Sequence, residues 1–151
     1  TSTQRAALRS LGAATLSAKH NELFDVILTL FTRAGRDRNK IAHWVWGPAP
    51  NMPDAVLLCD PTALLDFQID TSVPQRAGLV PMDSIFVWRR HDFEAAIKNI
   101  QRVTDFCSAF RFILMPNHPV NKDDELYRQL CAEPEIRQVL DHRAAHHKNN
   151  P

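Results

Sequence analysis

The spacing of apolar residues along the chain predicts a mainly helical protein. From Asp92 to Phe110, apolar side chains recur at three- and four-residue steps, which predicts an amphipathic helix. Residues 23–31 are apolar on nearly every side, which is typical of a central buried helix, and Asn21 is a suitable N-cap for it. Weaker helical patterns are found at residues 3–20, 124–131 and 134–140.

Between the two strongest helical patterns the sequence changes character. The first pattern ends at Gly47, because the prolines that follow cannot continue a helix. Three short apolar runs then predict strands at Ala55–Cys59, Ala63–Ile69 and Ser84–Trp88. Residues 70–81 are predicted to be an exposed loop. The fold class is therefore mainly α, with a small β-insert around residues 54–88.

Length and composition indicate one ordinary globular domain. A chain of 151 residues, 44% hydrophobic and 23% charged, can bury one core and is short for two. We assign residues 1–142 to a single domain and residues 143–151, which are polar and rich in histidine, to a disordered tail. The chain begins with Thr rather than Met, which leaves open whether the start of the domain is missing.

Charge and cysteine content narrow the possible partners. A net charge of +1 gives no general attraction to nucleic acids, so any such attraction must be local. Apolar runs are too short for a membrane span and no signal peptide is evident, which predicts a cytoplasmic protein without a membrane partner. Cys59, Cys107 and Cys131 lack metal-ligand spacing, so we expect reduced thiols, no metal site and no cofactor.

Residues 33–46 depart from this ordinary composition. They hold four cations, one asparagine, one histidine and two tryptophans in fourteen positions. At 100° per residue, a helix aligns four polar residues along one stripe, namely Arg36, Asn39, Lys40 and His43. Arg38 lies about 140° around the helix and about 7.5 Å along it from His43. A second surface would therefore help Arg38 and His43 to converge on one ligand.

These residue types suit phosphodiester chemistry. Histidine can take or give a proton near neutral pH, and an asparagine four positions earlier can fix the tautomer of His43. Arginine presents a planar fork to a phosphate and remains charged in the transition state. No acidic cluster suited to Mg²⁺ lies in this stretch, so the 2′-hydroxyl of RNA is the expected nucleophile. The residues predicted to contact the substrate are Arg33, Arg36, Lys40, Trp44 and Trp46.

A structural interpretation competes with this chemistry. Cations are favourable near the C-terminus of any helix, because the helix dipole is negative there. Tryptophans such as Trp44 and Trp46 more often belong to a core or an interface than to a platform for bases. From residue chemistry alone, the structural interpretation has the better odds.

The string Arg38-Asn39-Lys40-Ile41-Ala42-His43 resembles the arginine–histidine motif of HEPN (higher eukaryotes and prokaryotes nucleotide-binding) domains. In that family a polar residue typically follows the arginine, as Asn39 does here. A hydrophobic helix leads into the motif, and an amphipathic helix follows later, as at residues 92–110. The β-insert is not a general family feature. The Trp-Val-Trp that follows His43 is bulkier than the small residue often found there.

The resemblance implies an antiparallel helical bundle that forms a homodimer, with two motifs facing one cleft. It implies a metal-independent endoribonuclease of the toxin–antitoxin or defence type, with a cognate antitoxin protein as a possible partner. Arg38 would hold the scissile phosphate, Asn39 would orient it and His43 would act as the acid or base. The alternative is a non-catalytic dimerisation module that binds RNA or a nucleotide. A third interpretation, a helical protein with a coincidental motif, also stays open.

Overall fold

The computed structural model describes residues 2–71, 82–115 and 124–148. These ranges are mainly helical, with a small antiparallel sheet of three strands, so the prediction of a helical protein with a β-insert is confirmed. The α-helices are α1 (Ser2–Thr15), α2 (Ala18–His43), α3 (Pro61–Thr71), α4 (Arg90–Leu114), α5 (Glu125–Ala132) and α6 (Pro134–Lys148). The strands are β1 (Val45–Pro48), β2 (Ala55–Cys59) and β3 (Ile85–Arg89), with a 3₁₀ turn at Met82–Ser84.

The chain divides into two compact units. Unit 1 comprises Thr1–Arg33 and Gln101–Pro151, and unit 2 comprises Ala34–Ile100. The helices α2 and α4 therefore contribute residues to both units.

Unit 1 has a core of large aliphatic and aromatic side chains. Leu23, Val26 and Ile136 are almost completely buried, at 0–1% exposure. Phe24 of α2 stacks on Phe110 of α4 with ring centroids 5.8 Å apart. Gly12 explains how α1 joins this packing, because a Cβ atom at that position would come within 2.8 Å of the Phe24 ring. A glycine that looks unfavourable for a helix is thus required by close approach.

Ion pairs connect the helices of unit 1 at its surface. The Asp25 carboxylate of α2 contacts Arg9 of α1 at 2.5 Å and Arg143 of α6 at 2.7 Å. On α4, Arg102 pairs with Glu133 and Glu135, and the hydrogen bond to Glu135 raises the pKa of the guanidinium further. These contacts join residues that are far apart in the sequence.

Unit 2 contains the sheet, in the order β1-β2-β3 with both pairs antiparallel. Trp46, Leu58 and Phe86 are direct partners across the three strands, so they lie on one face. Leu58 is fully buried at 0% exposure, and the other core side chains of this unit within the described ranges are alanines. Phe93 of α4 contacts the same face through Trp46, at 5.4 Å between ring centroids.

The predicted strand at Ala63–Ile69 is wrong, because this segment belongs to α3. The Asp60-Pro61 pair starts this helix. The Asp60 Oδ1 atom accepts a hydrogen bond from the Thr62 amide at 2.8 Å, as an N-cap does, and proline at the first helical position is favourable. Beyond residue 71, the predicted loop at 70–81 lies outside the described residues.

Several helix ends and one strand also differ from the predictions. The helix α2 starts at Ala18, where the Ser17 hydroxyl accepts a bond from the His20 amide at 3.4 Å, and ends at His43 rather than Gly47. β1 takes the residues that follow, because they pair with β2. The helix α6 continues to Lys148, so residues 143–148 are helical where a disordered tail was predicted. The contact between Arg143 and Asp25, which no local pattern reveals, holds this extension.

Candidate functional site

The C-terminal half of α2 presents the predicted catalytic residues to solvent. Arg38, Asn39 and His43 are exposed, as is Arg36 one turn before Asn39. Among the described residues, none of these four side chains makes a hydrogen bond or an ion pair. α2 runs without interruption through Gly35, so the angular offset between Arg38 and His43 given by ideal helix geometry applies.

Lys40 has a different environment from its neighbours. Its ammonium nitrogen lies 3.9 Å from the ring centroid of Phe86 and 5.3 Å from that of Trp44. Such cation–π contacts contribute about 0.5–1 kcal/mol at exposed sites. The side chain is half-buried, and this contact attaches the end of α2 to β3. The substrate contact of Lys40 stays a prediction, and binding a phosphate would compete with the two rings.

The two tryptophans of the stretch also make intramolecular contacts. Trp44 is half-buried and its ring lies 5.2 Å from that of Phe86. The indole nitrogen of Trp46 donates a hydrogen bond to the Ile41 carbonyl at 3.1 Å. Ile41 is in the last turn of α2, where carbonyls lack helical partners, so Trp46 caps the helix. Trp46 remains 51% exposed, so part of its ring is accessible to a base.

Arg33 lies on the same helix but belongs to unit 1. Its side chain is exposed and makes no ion pair within the described ranges. The structure therefore brings Lys40 and Trp44 together around Phe86, whereas the predicted contact of Arg33 with the substrate stays a prediction.

Sequence reasoning missed the aromatic residues that support this region. Phe86, Trp88 and Phe93 contact the tryptophans or each other, with centroids of Trp88 and Phe93 5.0 Å apart. A signal was present, because alternate aromatic residues in the β3 sequence Ile-Phe-Val-Trp-Arg must share one face of a strand. Recognising their partners required the register of β1 with β2, and the prolines around β1 argued against a strand there.

One copy of this region supplies one exposed imidazole from the motif. The other histidine of unit 2, His91, is on α4 and its Nε2 atom lies 3.4 Å from the Asp92 carboxylate. Transfer of a proton from a nucleophile and to a leaving group requires two proton-handling groups, or one group that acts twice. The arrangement therefore suits a site in which a second copy or water completes the chemistry.

No protein-family model matches the chain, and neither a curated protein nor a solved structure matches it. Across the ranges that the structure describes, no helix combines the length and the apolar character that a membrane span requires.

Proposed function

We propose that this protein is a HEPN-like, metal-independent endoribonuclease that works as a homodimer in the cytoplasm. The observation that carries the proposal is the exposure of Arg38, Asn39 and His43 at the end of one continuous helix, where none of them has a partner among the described residues. Polar groups that stabilised the fold would make contacts within it, as Lys40 does. Groups held free at a rigid position suit an external ligand instead.

In the proposed mechanism, the His43 imidazole removes the proton of an RNA 2′-hydroxyl. The 2′-oxygen attacks the adjacent phosphorus, the bond from phosphorus to the 5′-oxygen breaks, and a proton is delivered to that leaving oxygen. Arg38 neutralises charge on the phosphate as it builds up, and Asn39 orients the phosphate. The products are a 2′,3′-cyclic phosphate and a 5′-hydroxyl. The second motif of the dimer supplies the imidazolium that protonates the leaving oxygen.

The test is incubation of the full chain with single-stranded RNA in EDTA, followed by analysis of the product ends. We expect cyclic-phosphate ends and no cleavage of DNA of the same sequence. His43→Ala and Arg38→Ala should each reduce the rate about 10²–10⁴-fold, as expected for loss of acid–base catalysis or of charge stabilisation. His91→Ala and Arg5→Ala are matched controls, because both residues are exposed and lie outside the motif.

Two results would contradict the proposal. One is an absence of cleavage by the wild-type protein, and the other is normal cleavage by both motif variants. A monomer in light scattering at assay concentration would contradict the proposed paired site, because a monomer has only one motif.

A second candidate, a non-catalytic dimer that binds RNA or a nucleotide, is favoured by the contacts of Lys40 and the tryptophans. With Lys40 held by Phe86, the stretch has three cations without such a contact, and the whole chain has a net charge of +1. Binding that neutralises three phosphates has a slope of about −2 for log affinity against log salt. Saturable RNA binding with that slope, without cleavage, would select this candidate. A toxin or defence role, with a cognate antitoxin, is part of the first proposal only.

A further inference from the structure

A pocket of about 420 Å³ lies in unit 2, beside β3 and the first turns of α4. The side chains that matter for its chemistry are Asp37 from α2, Trp88 from β3, and Asp92, Ala95, Ala96 and Asn99 from α4. Arg38, Asn39 and His43 do not line it. The pocket is therefore distinct from the motif, although Asp37 precedes Arg38 in the sequence.

Among the described residues, the pocket lining has two carboxylates and no cationic side chain. Asp92 is held in place, because its Oδ2 atom accepts a hydrogen bond from the Arg89 amide at 2.8 Å and its Oδ1 atom lies 3.4 Å from the Nε2 atom of His91. Asp37 is half-buried, and within the described residues its carboxylate makes neither an ion pair nor a hydrogen bond. A partly desolvated carboxylate without a partner is electrostatically favourable for a cation.

The remaining lining residues favour a flat cation. Trp88 offers an indole ring, and Phe93 holds that ring from the side at an interplanar angle of 65°. The electron-rich face of an indole attracts cations. Ala95 and Ala96 have small side chains, which leaves space beside the ring. The Asn99 amide oxygen can accept a further hydrogen bond at the edge of a ligand.

We propose that this pocket binds an organic cation with a planar guanidinium group. A guanidinium can stack its face on an indole and carries five in-plane donors, a combination that suits a lining with an indole, two carboxylates and an amide oxygen. An ammonium ion is a compact and strongly hydrated charge without a face to stack, so it fits this lining less well. The proposal does not depend on ribonuclease activity, because it uses none of the motif residues.

The test uses the isotopically labelled full chain and n-butylguanidinium as the probe, with n-butylurea as its neutral isostere. The chain has three tryptophans, so its spectrum has three indole N–H signals, and those of Trp44 and Trp46 are internal references. We expect a saturable shift of the Trp88 signal with butylguanidinium and none with butylurea. An equal response to both probes, or no saturable shift, would overturn the proposal.

Asp37→Asn removes the charge of the half-buried carboxylate and preserves the shape of the side chain. It should weaken binding of butylguanidinium about fivefold, which is typical of one partly exposed charge pair. Asp66→Asn, on the exposed surface of α3 and outside the pocket, is the matched control and should not change the affinity. Unchanged affinity in Asp37→Asn, with its circular dichroism intact, would contradict the assigned role of the carboxylate.

Two further probes test whether the bound guanidinium belongs to a free small molecule or to a protein partner. Agmatine represents a free small molecule, and an acetylated, amidated arginine tripeptide represents the side chain of a protein partner. Tighter binding of the tripeptide than of agmatine would support a protein partner, and the reverse would support a metabolite. n-Butylammonium should bind more weakly than n-butylguanidinium, and stronger binding would refute the preference for a planar cation.

Discussion

The two units of the molecule differ in what they bury. Unit 1 packs large side chains from several helices, and Leu23, Val26 and Ile136 are almost inaccessible to solvent. Unit 2 buries mainly alanines, and Leu58 is its one large side chain below 2% exposure within the described ranges. The aromatic side chains described in unit 2 are instead partly exposed, around the end of α2. Unit 1 is thus stabilised mainly by buried side-chain volume. Unit 2 is stabilised more by contacts between aromatic rings and by individual polar contacts, such as the bond from Trp46 to the Ile41 carbonyl.

The largest expected effect is a loss of core volume in unit 1. Leu23→Ala should reduce the free energy of unfolding by about 2–5 kcal/mol, because a densely packed site cannot collapse around the cavity. Leu58→Ala should fall at the low end of that range, because the half-exposed rings beside it can move into the space. Chemical denaturation of both variants measures the difference.

Leu65→Ala is the control for these two substitutions. Leu65 is 58% exposed on α3, so its truncation should change stability by no more than about 0.5 kcal/mol. If Leu58→Ala proves more costly than Leu23→Ala, the proposed contrast between the two units is wrong.

An intermediate effect is expected for the contact that caps α2. Trp46→Phe keeps an aromatic ring beside Phe93 and removes the donor to the Ile41 carbonyl, which should cost about 1 kcal/mol. Amide hydrogen exchange in the last turn of α2 should become faster, including at the Trp44 amide that bonds to the Lys40 carbonyl.

Trp44→Phe is the matched variant, because its indole nitrogen has no hydrogen bond among the described residues. It should leave exchange in that turn nearly unchanged. Equal protection in Trp46→Phe and the wild type would show that the cap does not stabilise the helix end.

The last effect, which leaves stability at neutral pH unchanged, is a titration in unit 1. Burial, followed by the hydrogen bond with Cys131, raises the pKa of Tyr127 from an ordinary value of 10.0 to about 12. Because the folded state holds this proton more tightly, its contribution to stability is complete below pH 10.0 and is lost as the pH rises through about 12. Tyr127 is the single tyrosine of the chain, so phenolate absorbance reports on it alone.

The titration has a direct control in the denatured chain. Phenolate should form at a higher pH in the folded protein than in denaturant, and coincident curves would contradict the effect of burial. Cys131→Ala should remove only part of the upward pKa shift of Tyr127, because burial is the largest cause of that shift.

The sequence predicts unit 1 better than unit 2, and the reason is physical. Helices such as α4 have a local period, so residues 92–110 identified it without any knowledge of its partners. The strand β1 has four residues that end in proline, and it exists because β2 supplies its hydrogen bonds. The helix α3 was missed because Asp60-Pro61 is as typical of a helix start as of a turn.

The candidate site divides in the same way. The exposed positions of Arg38 and His43 follow from helix geometry and from the polar residues around them. The contact of Lys40 with Phe86 joins residues 46 positions apart, and no pattern near Lys40 indicates it. Asp37 was overlooked because an isolated aspartate among arginines resembles a solvated surface, and only the pocket distinguishes it.

Trp46 has a consequence for how the sheet reaches its correct alignment. The residue is paired with Leu58 in the ladder and bonded to the Ile41 carbonyl at the same time. A slip of β1 by one position would turn its indole to the opposite face and break that bond. The hydrogen bond between Ile41 and Trp46 therefore disfavours misaligned strands. It also fixes the last turn of α2, so the position of His43 in that turn depends on the correct register of β1.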